Sequence, residues 1–254
     1  MRLPPALKHR PFRLLWGGLL ISTVGSLMQQ WALFWHISQL SRDPIAVSIV
    51  GGVRFAAVLA VALVGGLAAD RYNRRGLLAM TQIIAMLVAL TLGVLTVRGT
   101  IQLWHIYALS ALHAAAIAFD LPARQSLVPN LVPRQDLSSA FSLQSIAFNS
   151  GAILGPALSG LVIGYWGQAS AYFINALSYL AVLAALIAMG SVPQQMSAAQ
   201  QGLKAGLADI RDGLRFMRRQ PLILSSMVLD FFATFFASAN TLLPYFAQYV
   251  LHVG

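Results

Sequence analysis

The feature that most constrains this sequence is a long stretch without any charged side chain. No Asp, Glu, Lys or Arg occurs in the 67 residues from Leu137 to Leu203. Because about 20 apolar residues in a helix cross a bilayer core, this stretch has room for about three crossings. Charged residues make up only 9% of the 254 residues, which is too few to cover the surface of a water-soluble domain. We therefore expect a protein whose main solvent is lipid.

Seven apolar segments follow one another along the chain. Each is long enough, at about 1.5 Å per residue, to cross a hydrocarbon layer of about 30 Å as a helix. Lipid offers no partners to backbone amides, and the segments lack the roughly ten-residue alternation of barrel strands, so helices are predicted. The predicted spans are Leu14–Leu40, Ile45–Ala69, Gly76–Val97, Ile101–Phe119, Leu137–Gly164, Ala169–Met189 and Leu222–Val250.

The basic residues are sorted between alternate ends of these spans. Of the 17 Lys and Arg residues, 14 precede the first span or lie in the second, fourth and sixth gaps. Only Arg42 and Arg98 lie in the other gaps, and Arg54 lies inside a span. This is the positive-inside pattern, and it predicts a cytoplasmic N-terminus. Because the net charge of +10 is dispersed over short loops, no nucleic-acid partner is expected.

One sizeable polar segment separates the sixth span from the seventh. Its apolar residues recur at helical spacing, which predicts an amphipathic helix on the inner membrane surface. Its expected role is a linker between two bundles, and a lipid sensor is the alternative. The apolar positions are Leu203, Leu207, Ile210, Leu214 and Met217. The predicted organisation is a six-helix bundle over 1–190, a cytoplasmic amphipathic linker over 191–220 and the first helix of a second bundle over 221–254.

The loop between the second and third spans combines glycines, one carboxylate and three arginines. Small residues at a helix end let another helix approach closely, and a carboxylate beside guanidiniums forms ion pairs that can exchange, which suits a gate. The loop resembles the G-x-x-x-D-R-x-G-R-R signature of the major facilitator superfamily. Asn73 stands at the usual glycine, and since Asn tolerates a left-handed backbone, we expect the turn to survive. The matching residues are Gly66, Asp70, Arg71, Arg74 and Arg75.

The fifth span carries a second resemblance to the same superfamily. Its pattern is similar to the G-x-x-x-G-P-x-x-G-G element of antiporter branches, with Ser159 at one glycine position. Pro156 lacks an amide hydrogen and is expected to kink the helix, while the glycines form a flat seam for a neighbouring helix. The resemblance favours export by antiport over uptake. The kink residues are Gly151, Gly155, Pro156 and Gly160.

The stretch from Phe119 to Asn149 is similar to the connection between helices four and five in one branch of the superfamily. That branch includes the enterobactin exporter and macrolide efflux proteins. We expect Asp120 to end a helix on the cytoplasmic side and to pair with Arg74 or Arg75. By the resemblance, this cluster and Arg124 hold the inner side closed. The alternative is a solvated surface pair of about 0–1 kcal/mol.

Two charged residues lie inside predicted spans. Arg54 and Asp230 would each cost about 2.5–3.5 kcal/mol at mid-membrane, so each is expected to have a partner or to face a water-filled cavity. Asp230 is predicted to bind a coupling proton, or to pair with Arg54. The alternative for Arg54 is that its side chain extends to the outer headgroups.

Polar residues also share one face of the first span. In the superfamily, helices one, four and seven line the central cavity, so the resemblance places these residues and three from later spans against the substrate. The alternative is ordinary hydrogen bonding between helices. The predicted cavity residues are Ser22, Ser26, Gln29, Gln30, Tyr107, His113 and Asn240.

The sequence carries no enzyme signature. It has no H-E-x-x-H, no G-x-S-x-G after a strand and no G-x-x-x-x-G-K-[ST] loop, so neither an enzyme nor an ATP-driven pump is expected. With no Cys, it has no thiolate metal site. No metal and no cofactor are predicted.

The predicted fold class is an all-α membrane protein with an incomplete major facilitator fold. The resemblance implies twelve helices in two halves, each an inverted repeat of three plus three, and the sequence matches seven of them. It implies a secondary active exporter of a siderophore or drug-like molecule in the bacterial inner membrane, working by alternating access and proton antiport. Its expected partners are the lipid bilayer, a small-molecule substrate and a proton. The alternatives are a truncated half-bundle acting as a membrane interaction protein and one half of a split transporter completed by a second chain.

Overall fold

The computed structural model describes residues 4–71, 73–190, 215–217, 220–237 and 251. Within these residues the chain is helical and contains no strand, so the predicted all-α class is confirmed. The helices are α1 (Arg10–Leu40), α2 (Pro44–Arg71), α3 (Arg74–Val97), α4 (Leu103–Leu127), α5 (Leu137–Trp166), α6 (Gln168–Ala188) and α7 (Pro221–Ala237). Short 3-10 helices cover Pro5–Lys8, Val128–Asn130 and Arg134–Asp136.

Five of these helices are long and apolar enough to cross a membrane, namely α1, α3, α4, α5 and α6. Two shorter apolar stretches, Ile45–Val61 of α2 and Pro221–Asp230 of α7, accompany them in the part of the chain that is described. Residues 238–250 of the seventh predicted span and most of the predicted amphipathic linker lie outside the described residues. The seven-span count therefore stays a prediction.

The outer surface of the helices is apolar. Large side chains such as Phe55, Ile153 and Leu161 are more than half exposed. In water such a surface would drive aggregation, whereas in lipid it needs no cover. The exposed apolar belt therefore agrees with the lipid solvent that the composition predicts.

Glycine sets the tight junctions between helices. A single residue, Gly167, separates α5 from α6, and its φ of 80° with ψ of 170° is a backbone conformation that glycine adopts without strain. Gly99 has a φ of 65° at the turn after α3. These turns keep consecutive helices antiparallel and close together.

The chain divides into two compact units, Met1–Met196 and Ser197–Gly254. In the first unit, α1 packs against α5 and α6, α3 packs against α4 and α6, and α2 packs against α4. Exchanging α1 with α4, α2 with α5 and α3 with α6 reproduces the same set of pairs. Because α1 and α4 run in opposite directions, the six helices form an inverted repeat of two triplets, as the resemblance implies.

Contacts at one end of this bundle join segments that are distant in sequence. Nε2 of His9 lies 2.7 Å from Oδ2 of Asp136, just before α5, and Arg75 at the start of α3 donates to the carbonyl of Gly190, just after α6. We name this end the basic end, because most of the Lys and Arg positions of the first unit belong to it: Lys8, Arg10, Arg13, Arg71, Arg74, Arg75, Arg124 and Arg134. The opposite end carries Arg42 and Arg98.

Candidate functional site

The helices of the first unit line an open cavity of about 360 Å³. Its walls come from all six helices, and the polar stripe of α1 faces it. Charged residues from α2 and α4 reach the same space. The polar and charged residues that line it are Ser22, Thr23, Ser26, Gln29, Gln30, Arg54, Thr81, Gln82, Ser110, His113, Asp120, Arg124 and Tyr179.

A cluster of hydrogen bonds centred on Tyr179 crosses the cavity wall. The Tyr179 hydroxyl lies 3.0 Å from Oγ of Ser26 and 3.1 Å from Nε2 of His113. Nδ2 of Asn175 donates to this hydroxyl at 3.3 Å and to Oε1 of Gln29 at 2.8 Å. These bonds join α1, α4 and α6, and they fix the polar atoms that a bound molecule would meet.

Asn175 and Tyr179 are site residues that the sequence analysis missed. They lie four residues apart on α6, so they share one face of an apolar helix with Tyr172. A polar stripe on one helix face is the same signal that predicts the α1 stripe. Applied to the sixth span, it would have found both residues.

One predicted cavity residue, Tyr107, is not among the described residues that line the cavity. The hydroxyl of Tyr107 donates to the carbonyl of Ala46 at 3.1 Å and so links α4 to α2. This is the interhelical hydrogen bond that the sequence left open as the alternative. Asn240 lies outside the described residues.

Asp120 is buried, with 5% of its surface exposed. Its Oδ1 accepts from Oγ1 of Thr81 at 3.1 Å and from Nε2 of Gln82 at 2.7 Å, and its Oδ2 forms an ion pair with Arg124. The expectation that Asp120 ends a helix is wrong, because α4 continues to Leu127. Its ion-pair partner is Arg124 rather than Arg74 or Arg75, since residues four apart share a helix face.

The arginines at the start of α3 contact helix C-termini. Nη1 of Arg74 donates to the carbonyl of Ser126 at 3.0 Å, one residue before α4 ends. Arg75 donates to the carbonyl of Gly190 just beyond α6. Terminal helix carbonyls lack intrahelical partners and carry partial negative charge, so guanidiniums stabilise them. The two arginines thereby connect three helices at the basic end.

Asn73, which stands at the glycine position of the loop signature, does not adopt the left-handed backbone that the sequence led us to expect. Its φ is −58°, so the turn is not left-handed. Instead its Oδ1 accepts hydrogen bonds from the amides of Arg75 at 3.0 Å and Gly76 at 3.3 Å, which caps the N-terminus of α3. Gly66, Asp70 and Arg71 belong to the last turns of α2, and their side chains lie outside the described part.

The glycines of the α5 motif do not all lie in close contact with α1. A Cβ on Gly155 would lie 2.9 Å from the carbonyl carbon of Leu27 and 3.0 Å from the amide nitrogen of Met28, both in the backbone of α1. A Cβ on Gly151 would lie 2.8 Å from Cδ1 of Leu27, whereas one on Gly160 would meet nothing within 4 Å. Gly151 and Gly155 therefore form the seam against α1. Pro156 lies inside α5, which is continuous around it.

Comparison with known proteins places the chain in a family. The model of the family described as Transmembrane secretion effector, MFS_3, matches residues 3–254. The chain belongs to this family. This match confirms the resemblance to the major facilitator superfamily. The chain is therefore a multi-pass membrane protein of a bacterial transporter family.

Three relatives of this chain illustrate the match. The uncharacterized MFS-type transporter YfiS of Bacillus subtilis is 29% identical over 192 residues, which is 75% of this chain and 45% of YfiS. The enterobactin exporter EntS of Shigella boydii is 25% identical over 204 residues, 80% of this chain and 47% of EntS. The multidrug efflux pump Tap of Mycolicibacterium fortuitum is 24% identical over 235 residues, 89% of this chain and 57% of Tap. The chain thus spans about half the length of the curated relatives it matches.

Arg54 and Asp230, the two predicted coupling residues, lie in different units of the chain. Arg54 lies ten residues after the start of α2, about 15 Å along its axis, and lines the cavity. Asp230 lies in α7 of the second unit. Among the described residues no group of three or more His, Asp or Glu side chains forms a metal site.

Proposed function

We propose that this protein is a secondary active transporter that exports a siderophore or drug-like molecule by alternating access. The observation that carries the proposal is the 360 Å³ cavity, in which Ser26, Gln29, Gln30 and His113 surround membrane-buried space beside Arg54. Polar groups at membrane depth carry a cost that a transport pathway explains. The volume falls within the roughly 300–1,000 Å³ of small-molecule sites.

Two further features support export. The inverted repeat of α1–α3 and α4–α6 is the architecture in which bundles rock around a central site. The printed names of EntS and Tap describe an exporter and an efflux pump. The basic end, where Arg74 and Arg75 connect three helices, is the part of the first unit that we assign to the inner gate, together with Gly66, Asp70, Arg71, Asp120 and Arg124.

Energy for export is proposed to come from proton antiport, with Asp230 as the proton acceptor. Asp230 is a carboxylate in an apolar helix, and such a group changes charge when it binds a proton. Replacing Asp230 with asparagine removes the proposed proton-binding carboxylate while keeping the shape of the side chain. We expect the rate of efflux driven by a pH gradient to fall at least about ten-fold in the Asp230→Asn variant.

The measurement is accumulation of a fluorescent dye in everted vesicles, with and without an imposed pH gradient. Asp43→Asn is the matched control, since Asp43 is exposed and its Oδ1 accepts from the amide of Ile45 at 2.9 Å, a cap that asparagine also provides. Substrate exchange without a pH gradient should persist in both variants. Full gradient-driven efflux by Asp230→Asn would remove Asp230 from the mechanism.

The proposed location is the bacterial inner membrane, with the N-terminus and the basic end in the cytoplasm. The supporting observation is the sorting of cations between the two ends of the bundle. Because the chain contains no Cys, single cysteines can be introduced without background. In spheroplasts, a membrane-impermeant maleimide should label Thr100→Cys, between α3 and α4, and should not label Tyr72→Cys, between α2 and α3. Everted vesicles should reverse this result, and labelling of both positions from one side would contradict the topology.

A further inference from the structure

Arg54 is a cation in the apolar helix α2, and it lines the cavity. Among the described residues, no carboxylate lies within 4 Å of its guanidinium, and the ion pairs there are His9 with Asp136 and Arg124 with Asp120. A guanidinium is charged at every physiological pH and presents planar donors that match an anionic oxygen pair. An unneutralised guanidinium in a site of low dielectric therefore favours an anionic ligand.

The other charges in the cavity offset one another. Asp120 is the one carboxylate in its described lining. Both of its oxygens are used, because Arg124 pairs with one while Thr81 and Gln82 donate to the other. The charges of Asp120 and Arg124 cancel. The described lining therefore keeps a net charge of one, the positive charge of Arg54.

The uncharged residues of the cavity wall fit the uncharged body of an organic anion. The α1 stripe provides hydroxyl and amide groups, and α5 provides the phenyl ring of Phe148. Aliphatic side chains complete the wall and provide apolar surface for a hydrocarbon or aromatic body. The larger aliphatic residues are Leu27, Leu33, Val88, Leu92, Leu109, Ile117 and Leu121.

We propose that Arg54 binds the anionic group of the exported molecule, a carboxylate or an ionised phenol, and that this protein selects organic anions with an apolar or aromatic body. The inference rests on the proposed export function and names its substrate class. It also gives Arg54 a substrate-binding role rather than an extended position toward the headgroups.

The test uses two probes that differ by one charge, 3-hydroxy-2-naphthoate and its neutral amide. Their binding to the full chain in lipid nanodiscs is followed by probe fluorescence. The unmodified protein should bind the naphthoate about ten-fold more tightly than the amide, because only the naphthoate pairs with the guanidinium. Arg54→Gln should bring the two affinities within about two-fold of each other, whereas Arg54→Lys should keep a preference of about three-fold or more.

Arg98→Gln is the matched control, since Arg98 is an exposed arginine at the end of α3, and it should leave both affinities unchanged. Retained affinity for the amide shows that Arg54→Gln is folded. If Arg54→Gln does not fold, Arg54→Lys decides, and a lysine variant without anion preference would overturn the proposal. Equal binding of the two probes by the unmodified protein would also overturn it, as would an intact preference in Arg54→Gln.

Uptake of both probes into everted vesicles separates this inference from the proposed function. Preferential binding of the naphthoate without energised uptake of either probe would contradict export and leave the anion site standing. Energised uptake of the amide at the same rate as the naphthoate, with equal binding of both, would support export and overturn the anion selectivity.

Discussion

Replacing Asp120 with alanine is expected to lower the free energy of unfolding by about 3 kcal/mol, because it leaves the partly buried guanidinium of Arg124 without its counter-charge. The side-chain amide of Gln82 loses its acceptor at the same time, whereas the hydroxyl of Thr81 keeps the carbonyl of Leu78 at 2.8 Å. The measurement is denaturant-induced unfolding of the purified protein in mixed micelles. Since the ion pair and its hydrogen-bond donors join α4 to α3, we expect the whole bundle of the variant to unfold at a lower denaturant concentration.

The double variant Asp120→Ala/Arg124→Ala tests whether the ion pair is the cause. With both charges removed, the cost should fall below the sum of the two single variants by about 1–3 kcal/mol. If the two single costs simply add, the stability of this region comes from packing and not from the Asp120–Arg124 pair.

Replacing Gly155 with alanine is expected to destabilise the protein by about 1–3 kcal/mol, as overpacking of a tight interface does. The added Cβ meets backbone atoms of Leu27 and Met28 at 2.9–3.0 Å, and backbone cannot rotate away as a side chain can. To relieve the contact, α1 and α5 would have to separate along their seam. The midpoint of thermal unfolding in detergent measures the effect.

Gly160→Ala is the matched control on the same helix and in the same motif. Its Cβ would meet nothing within 4 Å, so it should be neutral or stabilising by up to about 1 kcal/mol, since alanine favours a helix over glycine. Equal destabilisation by the two substitutions would mean that glycine matters here through backbone flexibility, not through the α1–α5 contact.

The sequence predicts the helices well where charges mark their ends. The predicted first and third spans end at Leu40 and Val97, as α1 and α3 do. The prediction for the fourth helix stops at Phe119, whereas α4 reaches Leu127. It stops early because a charge normally lies outside the apolar layer, but Asp120 is neutralised by Arg124 and hydrogen-bonded by α3. Such a pairing depends on tertiary packing, which apolar periodicity does not report.

The same limit applies to the site. The α1 stripe from Ser22 to Gln30 follows from helical spacing alone, and the structure places it along the cavity. The partners Asn175 and Tyr179 depend on which face of α6 lies between α1 and α4. Likewise, Asn73 fits two local roles, a left-handed turn or a helix cap, and only the path of the backbone into α3 decides for the cap.

The inverted relation between the two triplets has a consequence for how such a bundle diverges after duplication. The α2–α3 junction holds three arginines, whereas the equivalent α5–α6 junction is a lone glycine. Because equivalent junctions face opposite sides of the membrane, insertion favours cations in one copy and removes them from the other. The two triplets therefore differ most in their junctions, whereas the pattern of helix pairs is the same in both.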